Sequence, residues 1–115
     1  MYKYVLDYLN GESLIQCAQD LVRINSVFDP DIDGANESGV TEYLERRLNA
    51  EGFEFHVDEV VPGRSNVIAF LRGKEPGKTL LFEGHQDVVS VGDPGKWKYD
   101  PFGGQIVEVN GRRIM

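Results

Sequence analysis

The spacing of apolar residues changes character once along this chain, and that change constrains the fold more than any other feature. Before Phe53 the apolar positions recur at helical spacing. Leu14, Ile15, Ala18, Leu21 and Val22 fall on one stripe, and Asn10 or Gly11 stands at its start. A second helix is predicted from Ser38, a suitable N-cap, through Val40, Tyr43, Leu44 and Leu48 to a stop at Gly52. Within it Glu42 precedes Arg46 by four residues, the favourable order for an exposed pair. From Phe53 the period becomes two: Phe53, Phe55 and Val57 alternate with Glu54, His56 and Asp58, as on a strand with one wet face. Strands are predicted at Phe53–Val60, Asn66–Arg72, Thr79–Glu83, Gln105–Val109 and Arg112–Met115. Two helices followed by strands define an α/β chain. The short connection Pro62–Ser65 implies that the first two strands pair antiparallel, so the expected sheet is mixed.

At 115 residues the chain, taken as residues 1–115, is one domain's worth. Such a length buries roughly two thirds of the surface its unfolded chain exposes. Nineteen acidic against twelve basic residues give a net charge of -7, which argues against nucleic acid or an anionic membrane as partner. The opening "MYKYVLDYLN" has one Lys and is interrupted by Asp7, so it reads as neither a signal peptide nor a membrane span. A single Cys17 excludes an internal disulfide framework. A cytoplasmic domain is the expectation.

Asn110-Gly111 is the strongest short hairpin signal in the sequence. Its return strand has only Arg112 to Met115. Two readings follow: a short edge strand, or a natural chain that continues beyond this segment. Either way an open strand edge invites pairing with a second copy, and a homo-oligomer is an expectation on that ground.

His-x-Asp occurs twice. His56 and Asp58 lie on the polar face of an alternating strand beside Glu54 and Glu59, and read as a solvated face. His85 and Asp87 follow the apolar run Leu80-Leu81-Phe82, the pattern of a strand buried on both faces. Ligands in α/β folds bind beyond the carboxyl ends of such strands, and Gly84 allows close backbone approach just before the His. On extended chain Asp87 can reach the imidazole nitrogen that His85 leaves free of a metal. The alternative is a strand-end His bonded to a loop carbonyl. Local features leave both open.

Other candidates fail on spacing. Gly73–Thr79 is one residue short of a phosphate-binding loop and precedes a strand, not a helix. Asp29, Asp31 and Asp33 lack the Gly and Glu that a calcium loop needs. Cys17 sits within the first helix's pattern beside Ala18 and reads as a small packing residue. Trp97 and Phe102 read as anchors of a long loop, a kind of segment that is often functional.

Taken together, "RSNVIAFLRG", "TLLFEGHQDVV", the Gly-Asp loop with Trp97 and "DPF", and "NGRRIM" resemble the opening of the M20 metallopeptidase family. That family includes acetylornithine deacetylase, succinyl-diaminopimelate desuccinylase and aminoacylases. The resemblance implies a partial three-layer α/β/α catalytic domain, without the family's dimerisation or lid domain. It implies that His85 is a metal ligand and that Asp87 is the catalytic carboxylate orienting it. Asn66, Trp97, Asp100, Pro101 and Phe102 match positions that shape the structure. It implies two Zn²⁺ ions about 3.5–4 Å apart, with Co²⁺ as an alternative, and a Glu general base. N-acyl amino acids or dipeptide-like amides would be the substrates. The family's other ligands and its general base match nothing in this sequence, so this segment alone is expected to be inactive and to bind metal weakly. The competing expectation is a naturally short, non-catalytic binding or assembly module.

Overall fold

A computed structural model describes residues 7–115; residues 1–6, on which most of the reading of the opening stretch rests, lie outside it. Two helices precede antiparallel strands, as the change of period predicts. Helix α1 spans Gly11–Arg23, α2 spans Ser38–Ala50, and strands β1 (Glu54–Val61), β2 (Arg64–Phe70), β3 (Val107–Val109) and β4 (Arg112–Ile114) follow. The chain divides into two compact units, one built from residues up to Ile24 with Val91–Met115, the other Asn25–Ser90. No helix among the described residues is long and apolar enough to cross a membrane.

In the first unit, α1 opens at Asn10, whose side chain accepts from the Ser13 amide at 3.1 Å. Gln19 Nε2 donates to the Gly104 carbonyl at 2.7 Å, and Arg113 pairs with Glu12 at 2.9 Å. β3 and β4 form the expected hairpin, with Val109 opposite Arg112 and Asn110 and Gly111 both at positive φ. Trp97 anchors its loop by donating Nε1–H to the Val91 carbonyl at 2.9 Å. Asp100 turns the chain by accepting from the Phe102 amide at 2.9 Å.

The second unit is a β-hairpin with a helix laid on it. β1 and β2 pair antiparallel from Glu54↔Phe70 to Val61↔Arg64, with a register shift between Glu59 and Val61. The alternation of β1 holds: Phe55 and Val57 are half-buried while Glu54, His56 and Asp58 are exposed. α2 packs mainly on β2, and within α2 Val40 is a buried hydrophobic residue, 5% exposed. The helix ends as expected: the Gly52 and Phe53 amides reach the Asn49 and Leu48 carbonyls at 3.1 and 2.9 Å, a Schellman closure. Its start differs from the sequence expectation. Ser38 is the first helical residue and Glu37 the N-cap, but the Glu37 side chain makes no cap bond. Asn36 Oδ1 takes the Ser38 amide instead, at 2.9 Å, because the Glu37 carboxylate is committed elsewhere.

The strand expected at Thr79–Glu83 is not formed among the described residues. Leu80, Leu81 and Phe82 are 75, 81 and 85% exposed. An apolar run of this kind becomes a strand by being hydrogen-bonded and covered by neighbours, and no described strand lies beside it. The described ladders are therefore two antiparallel pairs in place of a mixed sheet, and the parallel element is the isolated bridge Val27↔Val88.

Candidate functional site

The segment after the apolar run is fastened at three consecutive residues, all within the second unit. Gln86 turns inward: its Nε2 donates to the Ser65 carbonyl at 2.7 Å, and its Oε1 accepts from the Thr41 hydroxyl at 3.1 Å. Asp87 faces Arg64, with Oδ2 3.8 Å from Nη2. The Val88 amide donates to the Ser26 carbonyl at 3.0 Å, beside the bridge to Val27. α2, the start of β2 and the chain before α2 thus grip residues 86–88 from three directions.

His85, one residue earlier, points away from this grip and its side chain is 84% exposed. Its Nδ1 lies 2.7 Å from the Asp87 backbone carbonyl and 3.6 Å from the Asp87 carboxylate. A carbonyl oxygen only accepts, so Nδ1 carries the hydrogen, and the lone pair of the neutral ring is on Nε2. The sequence offered two partners for this ring, the Asp87 carboxylate or a loop carbonyl. The carbonyl makes the close contact, and the carboxylate lies between the ring, 3.6 Å from Oδ1, and Arg64, 3.8 Å from Oδ2. This does not decide against metal binding, since metal-ligating histidines use backbone carbonyls as well as carboxylates to fix the ring. Gly84 has open space on its side-chain face, so the close backbone approach expected there is absent. His56 and Asp58 are both exposed, on the outer face of β1.

Arg64 is itself held. Its Nε donates to Glu37 Oε1 at 2.8 Å, and its guanidinium lies 3.9 Å from the centre of the Phe28 ring. Glu37 is 6% exposed, and its second oxygen, Oε2, has no hydrogen-bond partner. A buried carboxylate with one satisfied oxygen depends heavily on that single cation. Sequence reasoning treated "PGRS" only as a turn and passed over Arg64, Glu37, Gln86 and Thr41. Their partners lie 21 to 45 residues apart in sequence for the Gln86, Glu37 and Thr41 bonds, and no local pattern marks them.

A catalytic zinc site needs about three protein ligands and an open position. Among the described residues no group of three or more His, Cys, Asp or Glu is placed to hold a metal. His85 fits one corner of such a site: it has an accessible nitrogen of the right tautomer and an anchored backbone. The described residues do not assemble the rest.

No protein-family model and no solved structure matches the chain. Curated relatives do match, and they are amide hydrolases. The chain is 38% identical over 96 residues to succinyl-diaminopimelate desuccinylase of Ehrlichia ruminantium (strain Gardel), covering 80% of this chain and 23% of the relative. It is 33% identical over 105 residues to N-formyl-4-amino-5-aminomethyl-2-methylpyrimidine deformylase of Bacillus subtilis, covering 90% and 24%. To the desuccinylase of Cereibacter sphaeroides (strain KD131) it is 41% identical over 90 residues, covering 77% and 22%. These are M20-type amidohydrolases, and the chain is homologous to them over 77–90% of its length. The chain spans less than a quarter of the length of these relatives.

Proposed function

We propose that this chain supplies the His85 corner of a metal-dependent amidohydrolase of the M20 type that cleaves N-acyl amino acids or small peptide-like amides. The observation that carries the reading is the His85 ring itself, with Nδ1 tied to the Asp87 carbonyl at 2.7 Å and Nε2 turned to solvent. The desuccinylase and deformylase relatives support amide cleavage as the chemistry. When bound in a complete site, zinc (or cobalt) supplies Lewis acidity toward the scissile carbonyl and acidifies the attacking water. This chain's own contribution is narrower. His85 offers one neutral nitrogen donor, the Asp87 carbonyl keeps the hydrogen on Nδ1, and residues 86–88 hold the loop still. The general base and the remaining ligands would come from residues outside this segment. A cytoplasmic setting is part of the proposal, supported by a chain with a single cysteine.

The test is direct. The purified 115-residue chain, given Zn²⁺ and an N-acyl amino acid, is expected to show no hydrolysis. Turnover that tracks Zn²⁺ and disappears in His85→Ala would overturn the division of labour proposed here. Sequencing the source DNA past the codon for Met115 tests the other half: a frame continuing into further acidic and histidine residues supports the amidohydrolase. An immediate stop favours a second reading, a binding or assembly module, for which the exposed Leu80-Leu81-Phe82 run is the specific observation.

A further inference from the structure

Asn-Gly occurs twice in the chain, at Asn10-Gly11 and at Asn110-Gly111. The side-chain amide of an asparagine is open to attack by the backbone nitrogen of the next residue, and a glycine there puts no side chain in the way. Both glycines leave that approach open, with nothing within 4 Å of the position a Cβ would take. The two asparagines differ. Asn10 is tied at both of its carbonyls: Oδ1 accepts from the Ser13 amide at 3.1 Å, and the backbone oxygen accepts from the Leu14 amide at 3.1 Å. Turning its Cγ onto the Gly11 nitrogen would break the cap of α1. The Asn110 side chain is exposed, and no hydrogen bond holds it among the described residues. Its backbone sits at φ 52° because the turn holds it there, and the turn closes a ladder of only three pairs, Val107↔Ile114 to Val109↔Arg112. Arg113 ties this hairpin to α1 through Glu12 at 2.9 Å, but both side chains are exposed, and such a pair contributes little. A two-stranded ladder this short opens readily. Opening frees the Asn110 ψ to swing until Cγ faces the Gly111 nitrogen.

We propose that Asn110 is a site of self-modification, at which the chain converts its own asparagine to aspartate and isoaspartate, while the cap on α1 spares Asn10. The Gly111 nitrogen gives its proton to solvent and bonds to Asn110 Cγ. The Cγ–Nδ2 bond breaks, and Nδ2 leaves as ammonia. Water then opens the cyclic imide. Opening at the Cγ–N bond leaves aspartate in an ordinary chain. Opening at the main-chain carbonyl leaves isoaspartate, with the chain routed through Cγ. The two products differ in what they do to the fold. Asp-Gly suits the same two-residue turn, so the aspartate form keeps the hairpin. Isoaspartate adds a backbone methylene between Val109 and Arg112, which breaks the register of the pair that closes the ladder. β4, three residues long, then comes away, and Arg113 leaves Glu12.

The experiment incubates the full 115-residue chain in mildly alkaline buffer, with and without urea. Peptide mapping by mass follows both Asn-Gly sites, and an isoaspartyl methyltransferase marks the isoaspartate. In the folded chain Asn110 is expected to react at least about fivefold faster than Asn10, the factor that one cap bond supplies. In urea the two rates should converge, because both sites keep the Asn-Gly pair and lose only the cap and the turn. Amide cross-peaks across the β3–β4 ladder should persist in Asn110→Asp and fade in step with isoaspartate in the wild type. The rate comparison uses the unaltered chain, so it stands whether or not the variant folds. An Asn110 that stays intact, or an Asn10 that reacts as fast in the folded chain, overturns the proposal. So does a rate ratio that survives in urea, since the cause would then be the neighbouring residues and not the cap.

Discussion

Replacing Gly63 by Ala tests how the hairpin turn is seated against the start of α2. Gly63 follows Pro62 in the two-residue connection between β1 and β2, and its φ is 77°. A residue with a Cβ there costs roughly 1–2 kcal/mol in backbone strain alone. The new Cβ would also lie 2.5 Å from Asn36 Nδ2 and 3.0 Å from Asn36 Cγ, so the amide group must move. That amide accepts the Ser38 N–H and so does the capping for α2; losing a cap of this kind costs about 1 kcal/mol. The expected total for Gly63→Ala is therefore about 2–3 kcal/mol. Gly52→Ala is the control: its φ is 73°, but nothing lies within 4 Å of the added Cβ, so about 1–2 kcal/mol is expected. Hydrogen exchange of the slowest amides in β1 and β2 reads the stability of this unit. The double variant Gly63→Ala with Asn36→Ala should cost about 1 kcal/mol less than the sum of the singles, because the cap can be lost only once. Equal costs for the two glycine variants, or full additivity with Asn36→Ala, would refute the packing described here.

Two further outcomes are expected. Arg72 forks onto Glu54 at 3.0 and 3.1 Å, and this hydrogen bond, reinforced by the positive charge, holds the Glu54 carboxyl below the usual carboxylate range. A lowered folded-state pKa contributes stability that is present above the unfolded value near 4.5 and is lost as pH falls through the folded one. A carboxyl NMR titration should show this lowered midpoint, and Arg72→Gln should return it to the ordinary range; an unmoved midpoint would remove the pair from the account. The exposed run at Leu80–Phe82 and the open strand edges predict concentration-dependent self-association, which Leu81→Lys should reduce. Light scattering that shows only monomer at high concentration would discard that expectation.

The elements readable from the sequence were those whose cause is local. Asn10 caps its own helix, Gly52 closes the next one, and Asn110-Gly111 makes its own turn; each needs only neighbouring residues. The Phe55, Val57 alternation likewise needs a single partner, β2, a few residues away. Thr79–Glu83 failed because the burial of Leu80 to Phe82 depends on strands that the described residues do not supply. The site divides in the same way. His85 and Asp87 were singled out by their apolar lead-in and by the family resemblance. Arg64 and Glu37 were not, because a charged residue in a turn and another before a helix look like ordinary surface until the fold brings them to 2.8 Å. The same commitment of Glu37 to Arg64 explains the displaced cap: one carboxylate cannot serve both the helix and the cation.

The bridge between Val27 and Val88 sets an order of events for this unit. The β1–β2 ladder closes between neighbours in sequence, from Val61↔Arg64 outward to Glu54↔Phe70. Bringing Val88 to Val27 closes a loop about four times longer than the ladder's widest pair, which adds about 1 kcal/mol of closure entropy. It also needs the hairpin and α2 in place, because Ser65, Thr41 and Arg64 are the groups that residues 86 and 87 dock onto. The loop bearing His85 is thus the last piece of this unit to be fastened and the first to be released. Its arrival can be slow without exposing the ladder.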